Sequence, residues 1–166
     1  MLGRWSTSTT LVLKKSKFKA FVTPISSNTE IKSLLYEIYK LDKTVDKASH
    51  PTMYAWKTAN SIAHKEKGNR GKKTICKEID CVLPKLDNLN QGFNDNNEGG
   101  SGMRLLGMLD RVRLVNILVV VSRWYGGTPL GPARFKCISD VGMEALQNGG
   151  YLNKGNAKVW VDCTKI

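Results

Sequence analysis

Five aliphatic residues in a row, Ile117-Leu118-Val119-Val120-Val121, leave no polar position between them. A strand with one wet face alternates apolar and polar residues, because successive side chains point to opposite sides. An unbroken run therefore predicts a strand buried on both faces or in a central sheet position. At 166 residues the chain can bury one such core, and two ordinary domains would be cramped.

The rest of the chain supplies elements for that core. Residues 9–25 hold β-branched and aromatic residues around the polar centre Lys14-Lys15-Ser16-Lys17, which reads as two short strands or one long irregular one. Ile31, Leu34, Leu35, Ile38 and Leu41 then recur at helical spacing, with Ser27 and Asn28 as caps, predicting a helix over about 29–43. Beyond His50-Pro51, residues 53–56 read as a strand, and residues 75–83 as another. A polar run over 87–102 leads to Met103, Leu105, Leu106, Met108 and Leu109, a mostly buried helix with Ser101 as its expected cap. Gly131 and Pro132 open a last helix, which Asn148-Gly149-Gly150 stops, and residues 157–163 alternate as a closing strand.

Charge narrows the partners. Lysine and arginine total 26 against 14 acidic residues, a net charge of +12, which favours RNA, DNA, ribosomes or acidic protein surfaces. Six of the cations, Lys65, Lys67, Arg70, Lys72, Lys73 and Lys77, fall in one glycine-containing stretch, read as an exposed loop insertion over about 61–77. That loop is either a polyanion-binding finger or a solvated insertion without a dedicated partner. Residues 1–29 lack Asp and Glu, as mitochondrial presequences do. Leu11, Leu13, Phe18, Phe21 and Val22 nevertheless fit strands better than a cleaved helix. No stretch approaches the roughly 18 apolar residues of a membrane helix, so no membrane partner is expected.

The common signatures of nucleotide, hydride, peptide and ester chemistry do not occur, and no catalytic residue is assigned. Cys76, Cys81, Cys137 and Cys163 form no zinc pattern, the last two lie in stretches that read as buried, and reduced thiols are expected. Only two histidines, His50 and His64, are available for acid–base or metal work. No metal or cofactor is expected.

Two constellations stand out. In Asn94-Asp95-Asn96-Asn97-Glu98-Gly99-Gly100-Ser101-Gly102, acidic and amide groups crowd a glycine bend ahead of a helix. Asp95 and Glu98 can hold a cation there, or hydrogen-bond the loop's own amides, with Asn97 tolerating a left-handed backbone. The second runs from Arg123-Trp124-Tyr125-Gly126-Gly127 through Gly131 to Arg134 and Lys136. A buried strand delivers Arg123 to a glycine loop and a helix N-terminus, and Arg134 and Lys136 add cations suited to a phosphate or carboxylate. The other reading is a tight turn with Arg123 paired to Asp95 or Glu98.

These two segments resemble the IMPACT/YigZ family. Its pattern is an acidic DDGE-type segment, a helix, an apolar strand, then an Arg-aromatic-aromatic-Gly-Gly turn and Leu-Gly before a helix. Here it stands as Asp95-Asn96-Asn97-Glu98, Arg123-Trp124-Tyr125-Gly126-Gly127 and Leu130-Gly131-Pro132. The ending Leu130-Gly131-Pro132-Ala133-Arg134-Phe135-Lys136 is closest to the eukaryotic form, and Lys15-Ser16-Lys17-Phe18 and Ala48-Ser49-His50 are weaker matches. The resemblance covers about residues 14–147, within one domain taken as 1–166.

The resemblance implies an α+β two-layer sandwich, like the second domain of the small-subunit ribosomal protein numbered five, with a mixed sheet and two helices on one face. It also implies a non-catalytic, cytoplasmic or nuclear adaptor whose partners are translation-control proteins or actin. Eukaryotic relatives restrain the amino-acid-starvation kinase pathway, and bacterial relatives are suspected nucleic-acid binders, so RNA or ribosome binding through a basic surface is the alternative, and an unrecognised enzyme acting on an anionic small molecule is a third reading. Asn96 and Asn97 depart from the DDGE pattern. No room is expected for the eukaryotic RWD domain or the bacterial ferredoxin-like one.

Overall fold

The computed structural model describes residues 4–61, 82–83, 86–152 and 159–166. Its strands are β1 (Ser6–Thr7), β2 (Leu11–Leu13), β3 (Ser16–Pro24), β4 (His50–Ser61), β5 (Val82–Leu83), β6 (Leu86–Asn94), β7 (Leu114–Val115), β8 (Ile117–Trp124) and β9 (Trp160–Asp162). Its helices are α1 (Ile31–Leu41), α2 (Ser101–Val112) and α3 (Ala133–Asn148). The main sheet has the order β1-β3-β8-β4-β6, with β2 also paired to β3, and its pairings are antiparallel. A small second sheet, β5-β9-β7, contains the parallel pair β7–β9.

The apolar run fills β8, which lies between β3 and β4. Its side chains divide by parity. Ile117, Val119 and Val121 pack with Leu105, Met108 and Leu109 of α2 and Ile138, Val141 and Ala145 of α3. Leu118 and Val120 pack with Leu34 and Ile38 of α1 on the other face. Burial on both sides removes the need for any polar position, and each such residue contributes roughly 1.5–3 kcal/mol by leaving water. The fold is thus α+β, with α2 and α3 together on one face and α1 on the opposite one.

Residues 9–25 resolve into two strands, β2 and β3. Lys14 and Lys15 take φ of 45° and 64° between the paired residues Leu13 and Ser16. A two-residue loop with both corners left-handed matches the twist of the flanking strands, so the hairpin closes tightly.

Three expectations change. The polar run after residue 86 contains a strand, β6, the sheet's edge, paired to β4 and largely exposed. β4 is longer than residues 53–56, extending from His50 to Ser61. Ser101 is the first residue of α2 and not its cap; the cap position belongs to Gly100, at φ 86°. The expected strand over 75–83 is described only as Val82–Leu83, and the closing strand as Trp160–Asp162. The basic loop over 61–77, with Lys65, Lys67, Arg70, Lys72, Lys73 and Lys77, lies outside the described residues apart from its first position, as do His64, Cys76 and Cys81.

Candidate functional site

Sheet register builds the site first. Arg123 is the seventh residue of β8, on the face that α2 and α3 cover, and its cross-strand neighbours are Phe18 of β3 and His50 of β4. Phe18 places its ring 5.3 Å from the guanidinium carbon, and Tyr125 places a second ring 5.6 Å away. Arg123 is 4% exposed, and its Nε has no hydrogen-bond partner among the described residues. An arginine so buried requires a counterion.

Glu98 supplies it. Its Oε2 accepts a hydrogen bond from Arg123 Nη1 at 2.5 Å and lies 3.2 Å from His50 Nε2, while its Oε1 stands 3.0 Å from Arg134 Nε. The Arg134 contact is an ion pair by distance but lies off the line of a hydrogen bond. His50 Nδ1 is 2.9 Å from the Asn96 carbonyl oxygen, so both ring nitrogens face oxygens that accept only. Of the two readings left open by the sequence, the internal one fits this geometry. The anion beside Arg123 and Arg134 is a carboxylate of the chain itself.

The loop that carries Glu98 is held by Asp95. One Asp95 carboxylate oxygen accepts from the Gly100 amide at 3.1 Å and the other from the Gly102 amide at 2.7 Å, while Ser101 Oγ donates to the Asp95 carbonyl at 3.1 Å. Asp95 thus occupies the unpaired amides at the start of α2, where a negative charge also suits the helix dipole. Asn96 and Asn97, the two departures from the family's acidic pattern, take φ of 47° and 66°, left-handed corners that asparagine tolerates. Both Asp95 carboxylate oxygens are thus engaged by backbone donors.

The turn after β8 is anchored from below. Tyr125 N–H donates to Ser49 Oγ at 2.9 Å, and Gly126 N–H donates to the buried Ser16 Oγ at 3.2 Å. A Cβ on Gly126 would stand 2.1 Å from the Lys15 carbonyl carbon, so this glycine is a close-approach position. Leu130 is buried in the core, whereas Tyr125 is 48% exposed and residues 127–129 are exposed around it. Gly127 and Gly131 take φ of 91° and 56°. Trp124 points to the other face of the sheet, where its indole N–H donates to the Thr44 carbonyl at 2.9 Å.

The candidates thus separate into groups. Glu98, Arg123 and Arg134 converge; Asp95 holds the loop; Tyr125, Gly126 and Gly127 form the rim; Trp124 faces away. Lys136 is apart from the cluster, paired on the exposed side of α3 with Asp140 at 2.8 Å, a hydrogen bond that raises its pKa. Ser49, which contacts Tyr125, is visible in the sequence only within the Ala48-Ser49-His50 match, and nothing in the sequence pairs His50 with Glu98. Cys137 and Cys163 are buried free thiols, both shifted upward because burial disfavours the thiolate.

Comparison with known proteins fits this arrangement. A family model described as the Impact N-terminal domain matches residues 14–146. The chain belongs to the IMPACT family. IMPACT family member YDL177C of Saccharomyces cerevisiae is 43% identical over 160 residues, covering 89% of this chain and 93% of that protein. The Protein IMPACT homolog of Schizosaccharomyces pombe is 30% identical over 142 residues, covering 86% of this chain and 41% of that one. The solved structure of the two-domain translational regulator Yih1 superposes with a TM-score of 0.52 at 26% identity, over 87% of this chain and 46% of the other. The chain therefore spans nearly all of one IMPACT relative and less than half of the two others. Within the IMPACT match, both motif segments, residues 95–98 and 123–131, meet at the Glu98–Arg123 contact.

Proposed function

We propose that this chain is a single, non-catalytic regulatory domain that acts in the cytoplasm by binding proteins of translation control. One observation carries the reading: the motif's charged residues engage one another. Glu98 and Arg123 are each about 5% exposed and paired, so they hold the 95–102 loop against the 125–132 turn and are not free to act on a substrate. What the arrangement offers outward is Tyr125 with residues 127–129, a rigid aromatic rim on an anchored turn. Preorganised aromatic side chains lose little entropy on contact and suit protein binding.

Similarity to Yih1, described as a translational regulator, supports the translational setting. Within it, a restraining effect on the amino-acid-starvation kinase pathway and a contact with actin are the finer readings suggested by the family. Affinity capture from a eukaryotic cell lysate tests the proposal. The wild-type chain should enrich translation-control, ribosomal or actin proteins above a charge-matched control protein. Recovery of none of these above the control overturns it.

A further inference from the structure

On the face opposite the Glu98 cluster, a depression of about 300 Å³ opens between β3 and the turn that follows α1. Among the described residues its walls carry Lys17, Lys19 and Lys47 against a single carboxylate, Asp42. Lys17 and Lys19 are two apart on β3 and so share a face of the sheet. Lys19 Nζ is committed to Asp42 at 2.8 Å, which leaves the depression net positive with Lys17 and Lys47 exposed at its edge. Trp124, the cross-strand partner of Lys17, forms its apolar wall, with its indole held in place by the Thr44 carbonyl.

We infer that this depression is a nucleotide site, in which Lys17 and Lys47 hold a phosphate and the base lies against Trp124. The cations are lysines without an arginine among the lining residues. Lysine ammoniums hold a phosphate as point charges. A flat ring beside the cations accommodates the π-face that every base carries. Thr10 at the rim adds a hydroxyl able to donate to a phosphate oxygen. A second depression, lined by Tyr36, Tyr39, Lys43 and Asp46, borders the same turn over residues 43–47, so aromatic rings continue past the first. Cations beside a flat ring suit a nucleotide either free or within a single strand.

The test is a titration of the ¹⁵N-labelled chain with AMP, with inorganic phosphate and with a short oligouridylate, following the Trp124 indole signal and the Lys17 and Lys47 amides. Saturable shifts with AMP assign a free nucleotide; shifts with the oligouridylate alone assign a nucleotide within a strand. Lys17→Ala with Lys47→Ala should weaken binding about tenfold, the scale of two exposed charge contacts. The control Lys32→Ala with Arg111→Ala removes the same charge elsewhere and should weaken it far less. The proposal is overturned by silence of the three signals with every probe, by phosphate binding as well as AMP, or by equal weakening in the control.

Discussion

The Glu98 carboxylate and the Arg123 guanidinium meet at 2.5 Å with both side chains buried, joining the loop before α2 to the end of β8. One carboxylate serves three cationic or proton-bearing neighbours, Arg123, Arg134 and His50. The partners are therefore not equivalent. Loss of Glu98 strands a buried guanidinium, whereas loss of Arg134 leaves Glu98 with Arg123.

Glu98→Gln should cost about 3–5 kcal/mol of stability, the scale of an uncompensated buried charge. Arg134→Gln, whose side chain is 32% exposed, should cost about 1 kcal/mol or less. Urea denaturation at neutral pH compares the two, and equal losses would contradict the ordering.

Asp95→Ala should cost about 1–2 kcal/mol, since it removes both acceptors from the amides that open α2. Asp95→Asn keeps one acceptor oxygen and should lose less. The same denaturation curves read this, and a harmless Asp95→Ala would mean that the loop is held by something else.

Gly126→Ala should cost about 1–3 kcal/mol or more, because the added methyl meets backbone atoms of Lys15 and Ser16 that cannot swing aside. Gly127 has open space for a Cβ but a φ of 91°, so Gly127→Ala should cost only about 1 kcal/mol through backbone strain. Thermal denaturation of both variants ranks them, and the reverse order would contradict the close approach.

How far the sequence discloses this fold depends on the element. β8 is legible because burial on both faces demands an unbroken apolar run, and α1 because Ile31, Leu34 and Ile38 recur on one side. β6 is not. An edge strand largely exposed to water carries only Leu86, Leu89 and Phe93 as apolar residues, and Asn88, at φ 50°, lies in a stretch whose partner strand shows a register shift. Gly92 within it reads as a breaker, yet a Cβ there would stand 2.8 Å from the Trp56 ring.

The site divides in the same way. Both motif segments are visible as motifs, but the choice between an external anion and Glu98 depends on how the 95–102 loop folds back on β8. That return is set by tertiary packing. Asp95 reaches an amide seven residues ahead, beyond the local capping patterns that make Ser101 look like the cap. His50 joins the cluster through the β4–β8 register, which no short motif encodes.

Acid should act through Asp42. Burial raises its pKa, but hydrogen bonds from the Lys19 ammonium at 2.8 Å and from the Thr44 hydroxyl and amide outweigh that, holding the carboxyl below its ordinary value. A carboxyl lowered on folding binds protons less tightly in the native state, so its contribution is complete above the unfolded value and fades as pH falls through the folded one. Asp42→Asn should be less stable than wild type at pH 7, by about 1 kcal/mol for a partly buried pair at the surface. The gap should close below about pH 4; a gap that widens in acid would contradict this account.

The central claim is that the motif's charges hold the turn while its aromatic rim meets the partner. Tyr125→Ala measures it most directly, with unfolding and affinity capture followed on the same preparation. Tyr125 is 48% exposed, so the variant should unfold within about 1 kcal/mol of wild type while losing most of the captured translation-control, ribosomal or actin proteins. Undiminished capture by a folded Tyr125→Ala chain would contradict the claim.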